Sequence, residues 1–324
     1  MKRITDDIKS GNFKNLYFLY GEEDYLRKQY RDMLKKAIVG DDDMNYSYYE
    51  GKDINVNALI DQAETLPFFA ERRLIVIDNS GFFKAGGEEL ADYLKEAPAT
   101  TYFVICDSEV DKRSKLFKTC TSVGVAVEMK SPDEMTLKRW VNKMLSESGK
   151  KMTERDIEYF LELTGEDMTN IKNEVEKLIC YVGDKDIITA ADADEIVTKQ
   201  INNHIFEMVE AIGNRNQKKA MDLYYELLTL REPPFRILSL VARQFNLLLQ
   251  TKELLLNNVG NSQIAEKIKV PPFAVKKYVY EARQFDMASL KKALEACVKA
   301  DEDIKSGRMT DKMSVELLIV EFSK

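Results

Sequence analysis

Histidine is almost absent. The 324-residue chain has one, His204, in Asn202-Asn203-His204-Ile205-Phe206. A multi-histidine metal centre is thereby excluded, and any Ser-His-Asp triad has to use that single ring. Its place near the start of a predicted helix makes it a capping or packing residue. Cysteine is scarce too: Cys106, Cys120, Cys180 and Cys297 lie far apart, with neither zinc-knuckle nor redox-pair spacing. They read as reduced core thiols of a cytoplasmic protein. No apolar run approaches the roughly 20 residues that span a bilayer, so no membrane association is expected. The start, Met1-Lys2-Arg3-Ile4-Thr5-Asp6-Asp7, turns acidic at once and predicts no signal peptide. Positive charge is not in excess, with 48 Lys and Arg against 55 Asp and Glu. Whole-body attraction to nucleic acid is therefore not expected, which leaves only a local patch open. No catalytic residue, metal or cofactor is expected.

The chain is long enough for two or three domains with buried cores. Its 44% hydrophobic and 32% charged residues are ordinary for a soluble globular protein. Leu16-Tyr17-Phe18-Leu19-Tyr20 is a short apolar run that Gly21 breaks, and Glu22-Glu23-Asp24 then opens a helix carrying Tyr25, Leu26, Tyr30 and Leu34. This is the strand–turn–helix frame of a phosphate-binding loop without its working parts. Such a loop needs several glycines, a Lys, and a Ser or Thr. Here Gly21 stands alone, Lys28 comes only further down the helix, and three carboxylates complement the helix N-terminus and repel a triphosphate. A second part is missing at Leu74-Ile75-Val76-Ile77-Asp78, where Asn79 rather than a second acid follows. The nucleotide site is read as degenerate at Gly21, Glu22, Glu23 and Asp24.

Strand signals lie at Leu16–Tyr20, Tyr46–Tyr49, Leu74–Ile77, Tyr102–Cys106 and Val125–Met129. Helix signals lie near Tyr25–Ile38, Val56–Glu64, Glu88–Glu96, Ser114–Thr119 and Met135–Ser148. Short strands joined by helices predict a parallel sheet covered on both faces, so residues 1–149 form an α/β domain. From Lys150 the strand signals stop. Thr153–Thr164, Met168–Val182 and Ala190–Val197 form a small three-helix unit, residues 150–201; Thr153 with Asp156, and ahead of the unit Ser131-Pro132 with Glu134, read as helix starts. A polar joint near residues 198–203 leads to an all-helical segment, residues 202–324, in which Pro233-Pro234 and Pro271-Pro272 mark helix starts. Leu290, Leu294, Cys297, Asp301 and Ile304 share one helical stripe there. Asp301 is thus expected beside the core with a partner, Lys305 being nearest.

Between the second helix and third strand runs Gln62-Ala63-Glu64-Thr65-Leu66-Pro67-Phe68-Phe69-Ala70-Glu71-Arg72-Arg73. Pro67 ends the helix and restricts Leu66 to extended geometry. Two readings stand at this point. Either both Phe rings fold into the core, or the turn presents them as a plug for a partner's pocket.

Several segments resemble the delta subunit of the bacterial DNA polymerase III clamp loader. They are Tyr17-Phe18-Leu19-Tyr20-Gly21-Glu22-Glu23 with Tyr25-Leu26, then Thr65 through Leu74, then Ala300-Asp301-Glu302-Asp303-Ile304-Lys305-Ser306-Gly307. Lys112-Arg113-Ser114-Lys115-Leu116 and Arg243-Gln244-Phe245 also fit. The resemblance runs end to end. It implies an AAA-type parallel-sheet domain with a degenerate nucleotide site, a small helical lid domain and a helical collar. By the same resemblance, Leu66, Phe68 and Phe69 contact the sliding clamp and favour the open ring, and the collar holds the other loader subunits on primed DNA. The Cys-rich zinc module and intact phosphate loop of the motor subunits are lacking. So is the Ser-Arg-Cys sequence of the other non-hydrolysing subunit.

Three alternatives accompany this reading. One is a divergent AAA-type ATPase. Another is a generic scaffold that contacts no clamp. The third is a helix-turn-helix DNA-binding protein, from Asn261–Val270 followed by Pro271–Tyr278. Glu266, Glu281 and the acidic balance argue against sequence-specific binding. Lys267, Lys269, Lys276, Lys277 and Arg283 remain candidates for DNA phosphate contact within a loader.

Overall fold

The computed structural model describes residues 1–197, 201–270 and 274–323, without the side chain of Asn202. It divides into two compact units, Met1–Asp133 and Glu134–Lys324.

The first unit alternates helix and strand: α1 (Lys2–Ser10), β1 (Leu16–Tyr20), α2 (Asp24–Ile38), β2 (Tyr46–Glu50), α3 (Val56–Glu64), β3 (Arg73–Asp78), α4 (Glu88–Tyr93), β4 (Thr101–Asp107), α5 (Lys115–Val123) and β5 (Val125–Glu128). The strands lie in the order β2-β3-β4-β1-β5, and every pair is parallel. Every residue of β3 is buried, as its unbroken apolar run requires when helices cover both faces. One core cluster joins Phe18, Ile75, Ile77, Phe103 and Ile105 of the sheet to Phe83, Leu90 and Leu116. Because the strands are parallel, Gly21, Asp78 and Asp107 gather at the edge where strands end. Asn45, Arg73 and Thr101 gather where strands begin. Local caps set the helix starts. The Asn55 side chain accepts N–H bonds from Asn57 and Ala58 at α3, and Ser114 accepts from Phe117 at α5. Helix α1 has no counterpart in the sequence reading. Its sole buried residue is Ile4, and the Tyr17 hydroxyl reaches Asp7 at 2.9 Å.

The second unit comprises α6 (Glu134–Glu147), β6 (Lys151–Met152), α7 (Glu154–Thr164), α8 (Met168–Val182), β7 (Ile187–Ile188), α9 (Ala190–Ile196), α10 (Ile201–Gly213), α11 (Gln217–Thr229), α12 (Pro234–Leu256), α13 (Asn261–Ile268), α14 (Val275–Gln284), α15 (Met287–Lys305) and α16 (Asp311–Phe322). Helix α6 packs on α7 and α8, and the division between the two units falls after Asp133. The strands do not stop at Lys150. β6 and β7 form a two-residue parallel pair, too short to leave a period in the sequence. Thr153 caps α7 by accepting the Asp156 N–H, as expected.

The 23-residue α12 starts at Pro234 and runs through a core shared with α10, α14, α15 and α16. Pro271-Pro272 and residues 198–200 of the joint lie outside the described residues. His204 is largely buried in α10, with Nδ1 3.5 Å from the Glu226 carboxylate, and acts as a packing residue. Asp301 pairs with Lys305 at 2.6 Å as expected, but its side chain is half exposed. The buried acid of that helix is Asp303, which pairs with Arg308 at 3.2 Å. Glu281, an acid that counts against sequence-specific DNA binding, is buried on α14 beside Gln244 of α12. The Gln244 amide donates to its Oε2 at 3.4 Å, and Oε1 has no hydrogen-bond partner among the described residues. Burial first, then the Glu210 carboxylate, pushes the Glu281 carboxyl up to about 8 against the pull of Lys277 and Gln244.

Candidate functional site

The turn between α3 and β3 turns its apolar side chains out. Leu66 is 75% exposed, Phe68 56% and Phe69 97%. The two rings meet edge to face, with centroids 4.6 Å apart. Leaving such rings in water forgoes about 1.5–3 kcal/mol of burial for each. Phe69 adopts φ 48°, in the left-handed region that non-glycine residues enter at a cost of order 1 kcal/mol or more. Such a conformation persists where its surroundings impose it.

They do so from beneath. Asn45, the residue before β2, is fully buried. Its Oδ1 accepts the Phe68 N–H at 2.6 Å, and its Nδ2 donates to the Phe68 carbonyl at 2.9 Å. The other Nδ2 proton goes to Asp42 Oδ2 at 2.7 Å. Asp42 Oδ1 accepts the N–H groups of Met44 and Asn45 at 2.9 and 3.3 Å. The Asn45 amide, the two backbone donors and the nearby Arg73 charge hold the Asp42 carboxyl below the usual carboxylate range. Arg73, buried at the start of β3, donates to the Leu66 carbonyl at 3.2 Å. The sequence reading singled out neither Asn45 nor Asp42, and Arg73 only as the end of the motif. A signal for Asn45 was present: an amide just before a strand, after an Asp three residues earlier, is a local turn pattern.

The other turn, after β1, is closed. Gly21 has φ 120°, and a Cβ there would sit 2.4 Å from the Met129 carbonyl oxygen, so only glycine fits. The Gly21 N–H donates to Asp107 O at 3.2 Å and the Glu23 N–H to Met129 O at 3.1 Å. The Glu23 carboxylate caps α2 by accepting the Tyr25 N–H at 3.1 Å. The buried Arg27 guanidinium donates to Gly21 O at 2.5 Å and to Asp24 Oδ1 at 2.8 Å. Lys28 holds Asp24 from the other side at 2.7 Å. Burial alone raises the Asp24 carboxyl, but the two cations keep it below the usual range. Glu22 is exposed. Asp78 at the end of β3 is buried and accepts from Arg31 at 2.6 Å and from the Tyr48 hydroxyl at 3.3 Å.

In the second unit Lys267, Lys269, Lys276, Lys277 and Arg283 are all exposed. The structure brings α13 and α14 together over a small core of Leu247, Ile264, Ile268, Val275 and Val279. Lys267 lies in the last turn of α13, Lys269 caps it in left-handed geometry, and the other three are on α14. Lys277 Nζ sits 3.9 Å above the Phe206 ring, a cation–π contact.

The comparisons with known proteins converge. The family model "DNA polymerase III, delta subunit" matches residues 17–130, and "DNA polymerase III delta subunit, C-terminal domain" matches residues 202–322. The chain is similar to the DNA polymerase III subunit delta of Bacillus subtilis, with 28% identity over 99% of this chain and 96% of that protein. It is also similar to a probable DNA polymerase III subunit delta of Aquifex aeolicus, with 26% identity over 71% of this chain and 68% of that protein. Among solved structures, the DNA clamp loader delta protein of Bacillus subtilis superposes with a TM-score of 0.69 at 27% identity, over 99% of both chains. Two family models matched in order, one over the parallel-sheet segment and one over the helical C-terminal segment, place the chain in the DNA polymerase III delta subunit family, the clamp-loader delta proteins.

Proposed function

We propose that this chain docks on the ring-shaped sliding clamp through Leu66, Phe68 and Phe69, and that docking favours the open ring during loading onto primed DNA. The observation that carries the reading is the exposure of Phe68 and Phe69 on a turn whose backbone is gripped from beneath. A pre-ordered aromatic pair loses little entropy on binding. Burying both rings contributes about 3–6 kcal/mol, a factor of a hundred or more in affinity. Opening follows by linkage: a ligand that binds the open ring better shifts the equilibrium by its differential affinity.

The chain itself turns over no nucleotide in this reading. Support comes from the closed turn, where the Gly21 and Glu23 N–H groups already have carbonyl partners and Arg27 occupies the interior. Residues 150–201 serve as the lid and 202–324 as the collar that holds the other loader subunits. The large core around α12 supports the latter. Lys267, Lys269, Lys276, Lys277 and Arg283 contact DNA phosphates without sequence preference, since phosphate contacts position but do not specify. The site of action is the cytoplasm, at the replication fork.

The test is binding to a purified bacterial sliding clamp, wild type beside Phe68→Ala/Phe69→Ala, with melts of both. The expected result is at least a hundredfold loss of affinity with an almost unchanged melting midpoint. Equal binding by the two proteins rejects clamp docking through this turn.

A further inference from the structure

We infer that Asn45 is the positioning residue of the docking turn, a side-chain latch without which Phe68 and Phe69 are present but not pre-ordered. The inference rests on the docking reading above. A residue inside a sheet has its N–H and C=O paired by a neighbouring strand. Phe68 lies outside the sheet, because the β2–β3 register begins only at Tyr46 opposite Leu74. The Asn45 amide does the strand's work instead, taking both backbone groups of this one residue at 2.6 and 2.9 Å. The Asn45 backbone carbonyl meanwhile accepts the Leu74 N–H at 2.8 Å, which ties the latch to β3 itself.

Only a short planar group with a donor and an acceptor side by side does this. Alanine offers neither, serine has one atom for two tasks, and an ionised aspartate accepts but cannot donate. The orientation of the amide is also determined. Reversed, Nδ2 would face the Phe68 N–H, and Oδ1 would face the Asp42 carboxylate. Asp42 is therefore part of the latch, and its 2.7 Å bond selects the working orientation. The grip on Phe68 and the Arg73 bond to the Leu66 carbonyl flank Pro67, which has no N–H. Together they leave Phe69 little choice but its left-handed backbone. Removing the latch lets residues 66–69 sample other conformations, and binding then has to order them again.

The experiment compares wild type, Asn45→Ala, Asn45→Asp and Phe68→Ala/Phe69→Ala for affinity to a purified bacterial sliding clamp. Melts and amide exchange of the free proteins accompany the binding curves. Asn45→Ala is expected to weaken clamp binding at least tenfold, with Phe68 amide exchange accelerated and the β3 amides still protected. Asn45→Asp is expected to be deficient at pH 8, where its carboxylate faces Asp42. Its deficit relative to wild type should shrink towards pH 5.5, as protonation restores a donor. If Asn45→Ala does not fold, the pH profile of Asn45→Asp decides. An Asn45→Asp protein that binds like wild type at pH 8, while the double Phe variant has lost binding, overturns the latch and leaves docking intact. A double Phe variant that binds like wild type overturns docking instead. The latch is then judged by the Phe68 amide alone, and fast exchange in the wild-type chain overturns it.

Discussion

The two turns at opposite edges of the sheet are built from similar means to opposite ends. At Gly21–Asp24, the Gly21 and Glu23 N–H groups bond the carbonyls of Asp107 and Met129, and Arg27 takes the Gly21 carbonyl and the Asp24 carboxylate. What faces outward is carboxylate, from Glu22 and in part Asp24. At Leu66–Phe69 the backbone is held by buried side chains beneath it, Asn45 and Arg73, and the apolar groups are pushed out. What a turn shows to solvent thus depends on which buried polar side chain stands behind it. One turn is tied by backbone bonds to neighbouring strand ends and shows only the Glu22 and Asp24 carboxylates to solvent. The other is held by side chains and shows Leu66, Phe68 and Phe69 to solvent.

The strongest way to break this comparison is at Gly21. Gly21→Ala places a methyl 2.4 Å from a backbone oxygen in a positive-φ conformation, so the closed turn has to open. The expected cost is about 3 kcal/mol or more, read as a fall in melting midpoint. Clamp affinity of the folded fraction should stay unchanged, because the plug lies at the other edge. A variant that melts like wild type shows that the turn is not as tight as described.

Arg27→Met sharpens it. The stem is kept and the guanidinium lost, which leaves the Gly21 carbonyl unpaired at a cost of about 1–3 kcal/mol. Nucleotide titration of this variant should show no binding, because the Gly21 and Glu23 N–H groups remain engaged with Asp107 and Met129. Measurable ATP affinity would mean that Arg27 alone closes the site.

A third contrast concerns a buried polar group that, unlike Asn45, is left half satisfied. Glu281 has its carboxyl raised from 4.5 to about 8. The folded state therefore holds a proton that the unfolded chain releases. Its contribution to stability is fully present below about 4.5 and is lost as pH rises to about 8. Glu281→Gln keeps the shape without that proton. Melts at pH 5 to 9 should show the variant gaining on wild type up to pH 8 and keeping a constant lead above it. A constant difference across the whole range places the Glu281 proton elsewhere.

Much of the architecture was legible in the chain. All five strands of the sheet fall within two residues of the runs that predict them; the central β1, β3 and β4 are buried and leave an almost unbroken apolar signature, while the edge strands β2 and β5 are only partly buried. Helices with side-chain caps, at Asn55, Ser114 and Thr153, start where the cap stands. Less visible were α1, whose contact with the body is slight, and the β6–β7 pair, which is too short to have a period. Asp301 has the expected Lys305 partner, but the acid that the helix buries is Asp303. Two residues turn a helix by roughly 200°, so a small error in the stripe's centre moves a carboxylate from the solvent side to the core side.

By itself the sequence determined the parallel α/β layer, the helical remainder, the scarcity of catalytic parts and the place of the Leu66–Phe69 turn. These follow from apolar periodicity, turn residues and composition, all of which act over a few neighbouring positions. Only the tertiary structure decided whether Phe68 and Phe69 point in or out. Two adjacent phenylalanines carry the same local signal in either case. The choice was made by Asn45, 23 residues away along the chain, whose amide reaches the turn only after β2 has paired with β3.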